Sequence, residues 1–110
     1  MKIDYVELPA TDMAAMKRFY GQAFGWSFQD YGPDYTAFSD SGLEGGFRPV
    51  AEAPPRGGAM VILYADDLAA AEAAVTGASG QLVSHHEFPG GRRFQFLDPS
   101  GNELAVWTKD

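Results

Sequence analysis

Two acidic side chains, Glu7 and Glu103, are the first candidates for chemistry in this chain of 110 residues. Each lies in a segment that alternates polar and apolar residues, which is the pattern of a half-buried strand. If two carboxylates face one cavity and lose contact with water, the pKa of one rises, which prepares a general base. The alternative is that both stay solvated at a cavity rim or pair with Arg93, whose guanidinium could otherwise bind a carboxylate or a phosphate.

His85 and His86 are the only histidines, and they are adjacent. Neighbouring residues of a regular strand point to opposite faces, so the two cannot hold one ion together. Regular alternation predicts that His85 faces the cavity, where Glu7 and Glu103 would complete a metal site. The competing interpretation is a pair of surface histidines near the end of a hairpin.

The composition excludes several classes of function. The chain has 8 basic and 15 acidic residues and a net charge of −7, so we expect neither nucleic acid nor an acidic membrane surface as a partner. It has no cysteine, which excludes disulfides, thiolate metal sites and a thiol nucleophile. No signal peptide and no run of about 20 apolar residues is present. We therefore expect a cytoplasmic protein.

The second half of the chain repeats the pattern of the first. A shift of 55 positions, half of the 110 residues, aligns Leu8 with Leu63, Ala10 with Ala65, Asp12 with Asp67, Ala14 with Ala69 and Ala15 with Ala70. A fixed internal period indicates a duplicated structural unit, whereas the alternative is chance similarity between two strand-helix segments. We predict one domain over residues 1–110, with a module at about 1–48, a linker at about 49–58 and a module at about 59–110.

Each half is predicted to have the order β-α-β-β-β. The expected strands are residues 3–8, 26–31, 35–39 and 43–48 in the first half, and 59–65, 81–88, 92–97 and 103–108 in the second. One helix should begin at Thr11 or Asp12 and end at Gly25, and the other should begin at Asp66 or Asp67 and end near Thr76. Pro89, Gly90 and Gly91 predict a hairpin turn.

The two-residue period of a strand sorts the side chains into two faces. One face is uniformly apolar and should lie under the helices: Val6, Leu8, Val61, Leu63, Phe94, Phe96, Leu104 and Val106. The opposite face mixes aromatic and charged residues: Tyr5, Glu7, Met60, Ile62, Tyr64, Arg93, Gln95, Glu103, Ala105 and Trp107. Such a mixture is typical of a ligand cavity. An ordinary solvent-exposed face is the alternative.

Three features together resemble the vicinal-oxygen-chelate superfamily of glyoxalases, bleomycin resistance proteins and ring-cleaving dioxygenases. They are the internal repeat, the helix segment with Phe19-Tyr20 and Phe24-Gly25-Trp26, and the turn Asp98-Pro99-Ser100-Gly101-Asn102 before the last strand. The resemblance implies an α+β fold of two βαβββ modules that form an eight-stranded half-open barrel around a cavity, with the helices outside. It also implies a homodimer. Metal enzymes of the superfamily hold a divalent ion in the cavity, whereas resistance proteins sequester a drug there.

The resemblance also places the metal-binding positions of the superfamily on this chain. They fall on Tyr5, Gly46, Met60 and Ala105. None of these residues offers the imidazole or carboxylate that zinc, nickel, manganese or iron takes at such a site. We therefore expect no metal and no other cofactor, which argues against glyoxalase-type isomerisation and extradiol cleavage.

The sequence thus predicts a protein that binds a small aromatic or cationic molecule in its cavity. The candidate binding residues are Tyr5, Glu7, Met60, Tyr64, Arg93, Gln95, Glu103 and Trp107. An alternative is an enzyme of lyase, isomerase or dioxygenase type that uses unusual metal ligands, or Glu7 or Glu103 as a general base. A third interpretation is a dimerisation or partner module whose cavity is filled.

Overall fold

Two four-stranded sheets make up the structure, a computed structural model that describes residues 1–110. The first sheet has the order β1-β4-β3-β2, with β1 at Val6–Ala10, β2 at Ser27–Asp30, β3 at Thr36–Ser39 and β4 at Gly45–Pro49. The second has the order β5-β8-β7-β6, with β5 at Ile62–Tyr64, β6 at Gln81–Phe88, β7 at Gly91–Leu97 and β8 at Glu103–Lys109. The helices are α1 (Met13–Phe24) and α2 (Leu68–Gly77). The predicted α+β fold of two βαβββ modules is confirmed, and the sheets are not closed.

Aspartate side chains start both helices as predicted. The carboxylate of Asp12 accepts a hydrogen bond from the backbone N–H of Ala15, and that of Asp67 accepts one from Ala70, each at 3.0 Å. These contacts satisfy backbone donors that have no partner within the first turn. Helix α1 ends at Gly25, whose φ of 72° is the left-handed conformation that glycine adopts without steric cost.

Most strands lie within two residues of their predicted bounds, and β1 and β5 differ from the prediction most. Strand β1 covers Val6–Ala10 instead of residues 3–8, because its extent is set by the parallel pairing with β4, from Val6 opposite Gly45 to Ala10 opposite Pro49. Strand β5 covers only Ile62–Tyr64 instead of 59–65, since only these three residues lie opposite β8. Residues 50–61 contain neither helix nor strand, and Pro49, the first residue of the predicted linker, belongs to β4.

The predicted apolar face forms the core. Leu8, Phe94, Phe96, Leu104 and Val106 are buried there, and Val6, Val61 and Leu63 pack at its margin. Helix α1 contributes Met16, Phe19 and Tyr20 to the same core. The ring of Phe19 lies 5.8 Å from that of Phe96, so α1 of the first module packs on the sheet of the second.

The turn before β8 joins the two modules through Asp98. Its buried carboxylate accepts hydrogen bonds from the Tyr20 hydroxyl at 2.8 Å and from the backbone N–H groups of Ser100 and Asn102 at 2.9 and 3.0 Å. The side-chain amide of Asn102 donates to Asp98 at 2.9 Å and to the Pro9 carbonyl of β1 at 2.8 Å. Burial raises the pKa of Asp98, while these hydrogen bonds oppose the rise.

Neither helix has the length and apolar character that a membrane crossing requires. The cytoplasmic location and the homodimer stay predictions.

We predict that Asp98→Ala lowers the free energy of unfolding by about 3 kcal/mol, because several buried donors lose their shared acceptor. Urea unfolding followed by the fluorescence of Trp26 measures the change, since this buried ring stacks on Tyr20 at 4.5 Å. Asp34→Ala is the matched control, because Asp34 is exposed. Equal stability of the two variants would contradict the role given to Asp98.

Candidate functional site

A large cavity and a smaller groove lie along the gap between β1 and β5, the edge strands of the two sheets. We call this gap the seam. A cavity of about 640 Å³ opens beside the start of β1, where Ile3, Tyr5 and Val6 line it together with residues 61–64. We call it the seam cavity. A groove of about 340 Å³ continues beside the rest of β1, where Glu7 and Glu103 lie, and we call it the charged groove.

The seam cavity has apolar walls, since eleven of its thirteen lining residues are hydrophobic. Phe24, Trp26 and Phe38 reach it from the helix side of the first sheet. Tyr5, Ile62 and Tyr64 also line it and remain 43, 46 and 44% exposed. Exposed apolar residues that gather around one concave surface are typical of a binding site rather than of an ordinary protein surface.

A chain of hydrogen bonds runs from Tyr5 to Glu7 across the face of the first sheet. The hydroxyls of Tyr5 and Tyr35 lie 2.7 Å apart, and the Tyr35 hydroxyl donates to Oε2 of Glu7 at 2.9 Å. Nε of Arg48 lies 3.9 Å from Oε1 of the same glutamate. Burial and the hydrogen bonds to Tyr5 and Glu7 raise the pKa of Tyr35, so its hydroxyl stays neutral and keeps its proton.

The two tyrosines occupy the space above Gly46, one of the four metal-binding positions of the superfamily. A Cβ at Gly46 would lie 2.2 Å from Oη of Tyr35 and 2.8 Å from Oη of Tyr5, both too close for any side chain. An acidic residue therefore cannot stand here unless Tyr35 moves. The two hydroxyls therefore fill the space that a ligand side chain at this position would need.

The other metal-binding positions offer no ligand set either. Ala105 is fully buried, and Met60 lines the charged groove with a thioether instead of an imidazole. No group of three or more histidine, cysteine, aspartate or glutamate side chains is placed to hold a metal ion. The side chains of this site therefore do not fit the divalent ion of the metal enzymes.

Glu7 and Glu103 both line the charged groove, and each forms an ion pair with a different arginine. Glu103 accepts hydrogen bonds from Nε of Arg56 at 3.2 Å and from the side-chain amide of Gln95 at 2.8 Å. The predicted partner Arg93 is not involved. The hydrogen bonds from Arg56 and Gln95 lower the pKa of Glu103, which makes it a weaker base. The general-base hypothesis needs the opposite shift.

The eight predicted binding residues do not form one site. Tyr5 and Tyr64 line the seam cavity, whereas Glu7, Met60 and Glu103 line the charged groove. The ring of Trp107 packs edge-on against Tyr64 at 5.0 Å, behind the cavity wall. Arg93 lies opposite Trp107 and His86 and borders a separate depression at the β6 edge.

The prediction that His85 faces the cavity is wrong. Leu82 lies opposite Phe96, but Ser84 lies opposite Gln95, so one extra residue enters β6 between them and forms a β-bulge. The bulge reverses the alternation, and His85 turns to the helix side, where its Nε2 lies 2.5 Å from Oε1 of Glu72 in α2. The proposed metal site of His85, Glu7 and Glu103 therefore does not form.

Several polar residues of these sites were not predicted, among them Tyr35, Asp40, Ser41, Arg48 and Arg56. The position of Tyr35 could have been predicted, because it lies two residues before Ala37, which lies opposite Gly46, and a two-residue period puts both on one face. Arg56 lies in the segment rich in proline and glycine, where no periodic pattern predicts its direction.

Comparison with known proteins places the chain in a family. Residues 4–107 match the family model described as glyoxalase-like domain. A glyoxylase-like domain-containing protein of Didymella fabae is 32% identical in an alignment that covers 98% of this chain and 94% of that protein. This chain belongs to the glyoxalase-like domain family.

Solved structures of low sequence identity share the fold. A glyoxalase-related enzyme from Fulvimarina pelagi superposes with a TM-score of 0.81 at 21% identity, covering 98% of this chain and 88% of that one. A glyoxylase/bleomycin resistance protein/dioxygenase domain from a Frankia species gives a TM-score of 0.81 at 17% identity, covering 100% of this chain and 98% of that one. The antibiotic binding protein TnmS3 from a Streptomyces species gives a TM-score of 0.73 at 21% identity, covering 100% of this chain and 97% of that one.

We predict that Gly46→Ala lowers the free energy of unfolding by about 1–3 kcal/mol, because the added methyl group overlaps the Tyr35 hydroxyl. The loss should shrink in a Tyr35→Ala background, which removes the overlapping ring. Urea unfolding of the single and double variants measures this coupling. Gly58→Ala is the control, since a Cβ there meets no atom within 4 Å. An equal loss in both backgrounds would contradict the packing described.

A second prediction concerns the titration of Glu103. Its carboxyl resonance should titrate below the ordinary glutamate value of 4.5, and Arg56→Ala should raise the midpoint. Because the pKa is lowered in the folded state, this contact stabilises the protein above the ordinary pKa, and its contribution is lost as pH falls through the folded pKa. Carbon-detected NMR measures the midpoint, with Arg48→Ala as control. No change on loss of Arg56 would refute the assigned cause.

Proposed function

We propose that this protein binds a small apolar or aromatic molecule in the seam cavity, without the divalent ion of the family's metal enzymes. The observation that carries the proposal is the cavity itself. Its volume of about 640 Å³ falls within the range of roughly 300–1,000 Å³ in which small-molecule sites lie. Its walls are apolar, and its mouth is open to solvent.

The apolar surface around the cavity supports this function over that of a filled partner module. Tyr5, Ile62 and Tyr64 each leave more than two fifths of their surface exposed, and the chain's own side chains do not fill the space between them. A ligand that covered these residues would gain about 25 cal/mol for each Å² of apolar surface removed from water.

The polar groups beside the cavity support binding without a metal. Tyr35 and Tyr5 cover Gly46, so a ligand would be recognised by hydroxyl groups and by the apolar walls of the cavity. The name of TnmS3, an antibiotic binding protein, assigns a binding role to one protein of this fold, and it supports the proposal by analogy. Action in the cytoplasm as a homodimer stays our prediction from the sequence.

A thermal-shift screen with neutral aromatic compounds such as indole tests the proposal. A ligand that binds only the folded state raises the melting temperature as its concentration rises above its Kd. Amide signals of Tyr5 and of residues 61–64 should then shift in NMR spectra, because these residues line the cavity. If no compound stabilises the protein, or if the shifts map elsewhere, the proposal fails.

A pair of matched variants locates the binding site. Ile62→Lys places a charged chain at the cavity wall and should weaken binding at least tenfold, since an ammonium group buried against an apolar ligand is costly. Val83→Lys makes the same type of change at an exposed strand position that does not line the cavity, and it should leave binding intact. An equal effect of the two substitutions would contradict the placement.

A further inference from the structure

The residues that line the seam cavity carry a negative charge and no positive charge. Among its thirteen lining residues there is no lysine, arginine or histidine, and the only two residues that are not hydrophobic are Asp40 and Ser41. Tyr5, Tyr64 and Trp26 also line the cavity and carry two hydroxyls and one indole N–H. The lining residues therefore carry one carboxylate and no cationic side chain.

The Tyr5 hydroxyl already donates its proton in a hydrogen bond within the protein. Tyr35 has a single hydroxyl proton, which it donates to Glu7 at 2.9 Å. The contact of 2.7 Å between the two tyrosines must therefore be donated by Tyr5. The Tyr5 oxygen, which belongs to a cavity-lining residue, has lone pairs left to accept a hydrogen bond and no proton left to donate.

The hydroxyl of Ser41 also donates its proton within the protein. Its hydroxyl donates to the backbone carbonyl of Leu43 at 2.7 Å, so its oxygen too can only accept from a ligand. The third group is the carboxylate of Asp40, which is an acceptor by nature. Asp40 receives one hydrogen bond, from the Ser27 hydroxyl to Oδ2 at 2.6 Å, and no basic side chain forms a salt bridge with it.

We infer that the seam cavity selects an apolar or aromatic amine, whose ammonium group donates to the oxygens of Asp40, Tyr5 and Ser41. This inference rests on the proposed function and specifies the chemical class of its ligand. An ammonium supplies hydrogen-bond donors and a positive charge, whereas these three groups offer acceptors and the negative charge of Asp40. The rings of Tyr5 and Tyr64 add faces that attract a cation. A ligand carboxylate would meet the negative charge of Asp40 and no cationic side chain among the lining residues.

Isothermal titration with three matched probes tests the inference: 2-phenylethylamine, 2-phenylethanol and 3-phenylpropionate. The amine should bind about tenfold more tightly than the neutral alcohol, because its hydrogen bonds are charge-assisted, and the anion should bind most weakly. Asp40→Asn should reduce the preference for the amine to less than about threefold while binding of the alcohol is retained. Asparagine is suited to this position, since Asp40 has a φ of 63°, which asparagine tolerates.

Tyr5→Phe provides a second variant that keeps the ring and removes the acceptor, and it should also reduce the preference for the amine. Asp34→Asn and Tyr31→Phe are the matched controls, since both residues are exposed and neither lines the seam cavity. Binding of amine and alcohol with equal affinity, or tighter binding of the anion, would overturn the inference and leave the proposed function standing. Binding of none of the probes would overturn both.

Discussion

The buried carboxylate of Asp98 fixes the geometry on which both cavities depend. It accepts the Tyr20 hydroxyl of the first module and the backbone of its own turn in the second. Asn102 extends the contact to the Pro9 carbonyl, and the Ser100 hydroxyl oxygen accepts the backbone N–H of Thr11 at 2.9 Å. The end of β1 is thereby held against the second module. Strands β1 and β5 nevertheless belong to separate sheets, and the gap between them is the seam.

The side chains along the seam differ from one end to the other. Beside the start of β1 they are apolar and form a cavity, and further along they are charged and form two arginine–glutamate pairs. The Tyr5–Tyr35–Glu7 chain lies between these regions, above Gly46. This chain explains two features together. It excludes a side chain from a metal-binding position of the superfamily, and it orients the Tyr5 hydroxyl so that its oxygen accepts.

Local patterns in the sequence predicted most of the fold. Asp12 and Asp67 start helices through contacts with residues three positions on, and the strand faces follow from the two-residue period. The internal repeat then gave the order of the elements. The signals for helix starts and strand faces are reliable because each depends on residues close in sequence.

The site was harder to predict, because its geometry depends on contacts between distant segments. The bulge in β6 is a property of how two strands pair, and it reversed the direction of His85. Arg56 reaches Glu103 from a segment without regular structure, and Asp40 and Ser41 reach the cavity from a turn. The acceptor character of Tyr5 depends on where the Tyr35 proton goes, which only the placement of Glu7 decides.

Elemental mass spectrometry of the purified protein tests most directly whether tyrosine hydroxyls, rather than a metal ion, occupy the space above Gly46. The protein is incubated with zinc, nickel, manganese and iron(II) ions and then desalted. Since Tyr5, Gly46, Met60 and Ala105 offer no imidazole or carboxylate, the metal content should stay far below one ion per chain. One tightly held ion per chain, lost when Glu7 or Tyr5 is substituted, would contradict this interpretation of the site.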